Sequence, residues 1–433
     1  MLKQEINELL TRTGPGTEMG DLFRQYWIPA LLASELPEDG CPPVRVKLLS
    51  ERMIAFRDSA GRYGLMDEFC AHRGASLWFG NNETGPGEAS GLRCAYHGWK
   101  YDVTGQCVEV PSEPENSSFC AKVKLTAYPL VKVGDILWTH MGDPASRPAL
   151  PEFEFAQVPA EQVYTSKRWQ ECNWLQALEG GIDSSHVSWL HSSGLRDDPL
   201  FKGSKGNEYN MNDRRPFFEV VDSEGGLYVG VRRNAEEGHY YWRITPWVMP
   251  AFTMVPPRGD HPVHGHFWVP IDDENCWVYS FDYQPVRALT ETEVAAMKAG
   301  HGVHNEYVPG TFRPLQNRDN DYLMDRDAQR RGETFSGIKG IAMQDASLQE
   351  SMGPIVDRGK ERLVSADSGI IKARRKLVQA ALDLREQGTT PPGVDPAHHR
   401  VRSAAIVLPK DESFLESAPE AMTARPGVRQ TTV

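Results

Sequence analysis

The sequence predicts an α+β protein of two domains, an all-β module followed by a larger domain in which an antiparallel sheet is joined to long late helices. Three observations predict it. From Pro43 to His140 the chain reads as short, alternating apolar and polar stretches; Gly142-Asp143-Pro144 through Pro151 is a Pro-rich break; and beyond that break strand-like segments give way to long helical patterns. At 433 residues the chain exceeds one ordinary domain.

In chain order, residues 1–36 carry helical periodicity ending in Trp27-Ile28-Pro29 and predict an N-terminal helical segment over residues 1–39. Residues 40–145 form the all-β module. Its strands begin with Val44–Leu49, Met53–Arg57 and Tyr63–Met66, the last two joined by the hairpin turn Asp58-Ser59-Ala60-Gly61-Arg62, and end at Ile136–His140. Residues 152–387 form the second domain. A helix is expected over Asn173–Leu190, then strands at Phe217–Val221, Leu227–Val231, Tyr240–Ile244, Phe252–Val255, His264–Val269 and Cys276–Asp282, and helices near 290–300 and 341–387. Residues 388–433 contain several prolines and predict a tail that wraps a neighbour or is partly disordered.

Composition narrows the function classes. Lys+Arg 47 against Asp+Glu 59 gives a net charge of −12 with no basic run, which argues against nucleic acid as partner. No apolar stretch approaches the ~20 residues of a membrane span. The start MLKQEINELL reads as an amphipathic helix, not a signal peptide. Of seven cysteines, Cys41, Cys107, Cys120, Cys172 and Cys276 show no paired framework and read as small buried apolar residues. A reducing cytoplasmic location is expected.

Cys70 and Cys94 differ from these five. Cys70-Ala71-His72 and Cys94-Ala95-Tyr96-His97 interleave thiolate with imidazole twice at short spacing. Zinc sites built from two Cys and two His usually pair Cys with Cys and His with His. A Rieske [2Fe–2S] cluster needs the interleaved set, two Cys on one iron and two His on the other, and the neutral imidazoles raise its potential. The flanks read CAHRG and CAYHGWKYD, with glycines 74, 91, 98 and 105 suited to tight loops.

A second metal motif lies at Glu179-Gly-Gly-Ile-Asp183-Ser-Ser-His186-Val-Ser-Trp-Leu-His191. Two imidazoles and a carboxylate from one segment can occupy one face of Fe(II) and leave positions open for O₂ and substrate. On an unbroken helix Glu179, Asp183 and His186 would share a face, but His186 and His191 would stand about 140° apart. Both reach one iron only if the helix ends or bulges near Trp189.

Over nearly its full length the chain resembles the large (alpha) subunit of Rieske-type non-haem iron aromatic-ring oxygenases, most closely the phthalate dioxygenase branch. NELLTRTGPGTEMGDLFRQYWIPALLASELPE at Asn7–Glu38, DEFCAHRGASLWFG and ALEGGIDSSHVSWLH carry the resemblance. It implies a Rieske domain followed by a Bet v1-like helix-grip catalytic domain. It also implies a trimer, or a hexamer of two stacked trimers, in which one subunit's cluster serves the next subunit's iron. Carried over, Cys70, His72, Cys94 and His97 hold the cluster, and His186 and His191 bind the mononuclear iron. Asp345, within Met343-Gln344-Asp345-Ala346-Ser347, supplies the iron's carboxylate, and Asp183 bridges His97 of a neighbouring subunit to His186. One departure from the family is a longer gap between His72 and Cys94, with Asn81–Glu88 as a polar, Gly/Pro-rich insertion expected to be a surface loop.

No Gly-x-Gly-x-x-Gly fingerprint follows a strand, so NADH oxidation is assigned to a separate flavin and iron–sulfur reductase. The implied reaction is phthalate 4,5-dioxygenase-like dihydroxylation of an aromatic carboxylate. The alternative is monooxygenase-type O-demethylation or ether cleavage of a methoxylated biaryl or phenoxybenzoate-type acid; a more remote one is a non-catalytic Rieske electron carrier. A carboxylate calls for a guanidinium. Arg243, inside Tyr240-Tyr241-Trp242-Arg243-Ile244, and Arg215 are the candidates put forward; Arg214, Arg232 and Arg233 are expected to be more exposed.

Overall fold

The computed structural model describes residues 2–83, 90–114 and 116–433. These form two compact units, Arg24–Arg147 and a larger one made by Pro148–Val433 with the residues before Arg24.

The smaller unit is all-β. Val44–Leu48, Glu51–Arg57, Tyr63–Asp67 and Ala127–Tyr128 form one antiparallel sheet; Asn81–Glu83, Gly91–Arg93, Lys100–Tyr101 and Cys107–Glu109 form another. Its apolar centre joins Ile54, Phe56, Met66, Leu77, Leu92 and Tyr101 to Cys70 and Cys94. The expected insertion loop begins as a strand, since Asn81–Glu83 pairs with Gly91–Arg93. The rest of it, from Thr84, lies outside the described residues.

The N-terminal segment is not one helical piece. Gln4–Thr11 and Glu18–Phe23 are helices, but Trp27–Leu32 is a strand paired with Ile136–His140. Five successive buried side chains in Trp27–Leu32 suit a covered strand better than a helix with one wet face, and Pro29 is accommodated where the ladder shifts register between Pro29 and Leu31. The chain therefore changes unit at Phe23–Arg24 rather than at residue 39.

The larger unit is built on an eight-stranded antiparallel sheet. The order runs Val163–Gln170, Cys276–Tyr283, Val263–Pro270, Phe252–Val255, His239–Val248, Gly226–Asn234 and Phe217–Asp222. The eighth strand, Ala404–Pro409, pairs with His239–Ile244. Residues 388–433, expected as a tail, are thus part of the core. The apolar run Ala404-Ala405-Ile406-Val407-Leu408 was readable, but its Pro-containing flanks suggested disorder. Arg402, just before it, is buried in an ion pair with Glu154, which also accepts the Tyr283 hydroxyl.

Helix Trp174–Ile182 packs on strands Phe252–Val255 and Val263–Pro270, and helix Ser368–Gln387 packs on Phe217–Asp222 and Gly226–Asn234. The late helical stretch is two helices, Ile341–Ser351 and Ser368–Gln387, because Gly353 takes φ +92° and Pro354 follows it. Gly181 lets the first helix lie close to the sheet. A Cβ there would stand 2.4 Å from the Trp268 ring. Glu179 ties that helix to the rest of the unit through Arg374 (2.7 Å) and Arg358 (3.3 Å), both buried. Among the described residues no helix is long and apolar enough to cross a membrane.

Candidate active site

Helix Trp174–Ile182 stops inside the motif it was expected to contain, ahead of Asp183. The Asp183 carboxylate accepts from the Ser185 backbone N–H (2.7 Å) and hydroxyl (2.6 Å), a turn that competes with helix continuation. A short 3₁₀ turn at His186–Ser188 follows. The shared helical face of Glu179, Asp183 and His186 is therefore absent, and the break lies at Asp183 rather than near Trp189. Arg233, buried and not exposed as expected, supports the turn by donating to the Ser184 carbonyl at 2.7 Å.

The break brings His186 and His191 together. Their Nε2 atoms are 3.2 Å apart, and Asp345 Oδ1, from helix Ile341–Ser351, lies 3.2 Å from His191 Nε2 and 3.6 Å from His186 Nε2. Each imidazole is held from its far side: Asp183 Oδ2 is 3.1 Å from His186 Nδ1, and Gln344 Oε1 is 2.8 Å from His191 Nδ1. Gln344 is itself fixed by donating its amide to the Ile338 carbonyl (3.0 Å). With both Nδ1–H groups so committed, two ring lone pairs and a carboxylate oxygen converge on one point. A cation satisfies that arrangement, and edges near 3 Å match three cis ligands on one face of an octahedral iron. Burial alone would raise the Asp183 carboxyl, but its bonds to His186 and Ser185 hold it down at about 2. Burial likewise opposes ionisation of Asp345, and His191, His186 and Arg168 outweigh it.

In the smaller unit the two Cys/His motifs fold alike. The Gly74 N–H donates to the Cys70 carbonyl (2.9 Å) and the Gly98 N–H to the Cys94 carbonyl (3.0 Å), each glycine at positive φ (+74° and +78°). Cys70 and Cys94 are buried at the base while His72 and His97 are exposed above them, their rings 4.4 Å apart. Trp99 stacks on His72 at 4.7 Å. The Tyr101 hydroxyl accepts from the Ala71 N–H (3.1 Å) and stands 3.2 Å from Cys70 Sγ, where it can donate to a thiolate. Burial pushes the Cys70 thiol up, so a cation is needed to hold it as thiolate. Two buried sulfurs beneath two exposed imidazoles fit a [2Fe–2S] cluster with its His-ligated iron outward. Of the spare cysteines, Cys41, Cys107, Cys172 and Cys276 are buried as expected; Cys120 is only partly so, its thiol 3.2 Å from that of Cys107.

A cavity opens against His186, His191 and Asp345. Strand alternation builds its far wall: Arg243 and Thr245 project from one strand and His264, His266 and Trp268 from another, each set spaced by two. Arg243 lines this cavity. It is 3% exposed, and its Nε and Nη1 have no hydrogen-bond partner. Arg215 is exposed and does not line it, and neither does Arg214 or Arg232. Sequence reasoning missed Gln344, Arg258 and His264. Gln344 had a signal, its place beside Asp345; the other two had none until the sheet was built.

Two constellations whose residue types and geometry suit iron, on these two folds, fit a terminal oxygenase with a Rieske centre and a mononuclear iron centre. The comparisons agree. Residues 26–129 match the Rieske [2Fe-2S] domain and residues 139–426 match the LigXa C-terminal domain like family. The 3-chlorobenzoate-3,4-dioxygenase oxygenase subunit of Comamonas testosteroni is 37% identical over 93% of this chain and 95% of its own length. The phthalate 4,5-dioxygenase oxygenase subunit of Pseudomonas putida is 39% identical over 88% and 86%. The 5,5'-dehydrodivanillate O-demethylase oxygenase subunit of a Sphingobium species is 32% identical over 94% and 87%. The chain belongs to the Rieske non-haem iron oxygenases, as an alpha subunit of the phthalate branch. It is an oxidoreductase whose cofactors are a Rieske [2Fe–2S] cluster and a mononuclear iron.

Proposed function

We propose that this oxygenase dihydroxylates the ring of an aromatic carboxylate. The observation that carries the reading is Arg243, a buried guanidinium with two unpartnered nitrogen atoms in the wall of the cavity that also holds the His186–His191–Asp345 triangle. A buried unpaired cation is costly, and a planar carboxylate supplies what it lacks. The identity to phthalate and chlorobenzoate dioxygenase subunits points the same way.

In this reading Cys70, His72, Cys94 and His97 hold the cluster, and His186, His191 and Asp345 hold the iron. The bound iron supplies O₂ activation. The chain's own residues do the rest: Arg243 anchors the acid, Phe201, Trp268 and Ile341 line the space for the ring, and the sheet wall limits water on its side. In the same reading Asp183, ionised and hydrogen-bonded to His186, serves as the bridge toward the cluster-binding loop of a neighbouring subunit in a trimer or stacked-trimer hexamer. Electrons come from a separate flavin and iron–sulfur reductase.

The identity to an O-demethylase subunit favours a second reading, monooxygenation of a methoxylated acid, on the same residues. Product analysis separates them. The iron-loaded protein, a reductase, NADH and O₂ are given phthalate, isophthalate, phenoxybenzoate and methoxylated biaryl acids. A cis-dihydrodiol supports dihydroxylation; formaldehyde with a phenol, or a split ether, supports the second reading. Arg243→Gln should raise KM for the acid on the order of 10²-fold. Unchanged KM, or turnover of neutral aromatics alone, would sink the carboxylate reading.

A further inference from the structure

We propose that Arg258 and His264 form a second polar subsite in the cavity, one that recognises a hydroxyl group on the ring of the acid. The inference rests on the reading of Arg243 as carboxylate anchor and goes beyond it to the second substituent.

His264 and Arg258 are 2% and 4% exposed, and both line the cavity. Both pack on Phe201: the His264 ring stacks on it at 5.0 Å and the Arg258 guanidinium lies 4.5 Å from its centre. Each is fixed from behind. Arg258 Nε donates to Asn207 Oδ1 at 3.2 Å, and Asn207 cannot turn over because its amide donates to the Leu195 and Phe201 carbonyls (2.9 and 2.6 Å). His264 Nδ1 faces the Pro262 carbonyl at 3.5 Å and Asp282 Oδ1 at 3.9 Å. The other Asp282 oxygen lies 2.7 Å from His304 Nε2, whose Nδ1 is 2.6 Å from the Ser166 hydroxyl.

These contacts decide the tautomer. A carbonyl can only accept, so His264 Nδ1 carries the proton and Nε2 is left as a bare lone pair. Burial, with Arg258 nearby, keeps the ring neutral. Both His264 Nε2 and Arg258 Nη1 are buried without a partner. The subsite therefore offers one acceptor and one donor beside the same aromatic ring. A hydroxyl suits either group, giving its hydrogen to Nε2 or taking one from Nη1. A second carboxylate would satisfy Nη1 but set oxygen against the Nε2 lone pair, and a halogen or methoxy group has no hydrogen to give. Sites built to pair a buried polar group discriminate strongly against ligands that lack it.

The test measures dissociation constants by calorimetry on the iron-loaded protein for benzoate, the 2-, 3- and 4-hydroxybenzoates, the matching fluorobenzoates, phthalate and isophthalate. One hydroxybenzoate should bind at least about tenfold tighter than its fluoro counterpart. His264→Phe should bring that pair of affinities together, while His264→Gln, which keeps an acceptor oxygen, should restore part of the gap. Cluster absorption and the thermal midpoint confirm folding of each variant. The proposal falls if no hydroxybenzoate outranks its fluoro counterpart, if the gap survives in His264→Phe, or if a dicarboxylate binds tightest through Arg258. Failure of the anchor reading shows separately, as benzoate binding untouched by Arg243→Gln.

Discussion

Gln344 Oε1 lies 2.8 Å from His191 Nδ1, and the next residue in the chain, Asp345, places its carboxylate 3.2 Å from His191 Nε2. One dipeptide thus orients an imidazole from behind and meets it in front. Gln344→Leu removes the acceptor that fixes the His191 tautomer. Affinity for the mononuclear iron should fall ~10–100-fold, measured by metal titration, with the cluster's visible spectrum intact. Unchanged affinity would mean that packing alone sets the ring.

Asp345→Ala deletes one corner of the triangle. Total iron should drop by the mononuclear atom alone, leaving the two of the cluster and their visible absorption. Full iron content would show that another carboxylate is the ligand.

Asp183 holds His186 Nδ1 through one oxygen and the Ser185 N–H and hydroxyl through the other. Asp183→Asn keeps the shape but loses the charge and one acceptor. Both metal centres should stay occupied, while product formation coupled to NADH consumption falls by about 100-fold or more. A variant with full coupled activity would remove Asp183 from the bridging role.

Glu179 sits between Arg358 and Arg374, and Arg358 is fully buried. Glu179→Gln strands that charge and should cost on the order of 3–5 kcal/mol, read as a lower unfolding midpoint. Burial works to raise the Glu179 carboxyl, but the two guanidiniums prevail and hold it below its ordinary value. Its contribution is therefore complete above about pH 5 and is lost as pH falls through the lowered value, so the stability gap between wild type and variant should close in acid. A gap independent of pH would assign the effect to packing.

Much of this was legible in the chain. The Cys70–His72 and Cys94–His97 spacing identified the cluster because ligand loops are local: a few residues and one positive-φ glycine suffice. The strands from Phe217 to Asp282 were readable because alternation is local too: Phe252–Val255 has the expected bounds, and the others run on past one or both ends, furthest in His239–Val248 and Gly226–Asn234. What was misread depended on partners far away in sequence. Trp27–Leu32 became a strand because Ile136–His140 was there to pair with it, and Ala404–Pro409 because His239–Ile244 had a free edge.

The sequence by itself determined the residue types that can bind iron and the break signals around them. The tertiary structure alone decided which charges face the cavity. Arg215 and Arg243 look alike in one dimension, yet one is exposed and the other is buried opposite the His186–His191–Asp345 triangle. Arg258 and His264 acquire meaning only when the chain brings Phe201, Asn207 and Asp282 around them. The reason is physical: a ligand set is fixed by short-range spacing, whereas the orientation of a side chain is set by which neighbours satisfy its polar atoms and which leave them open.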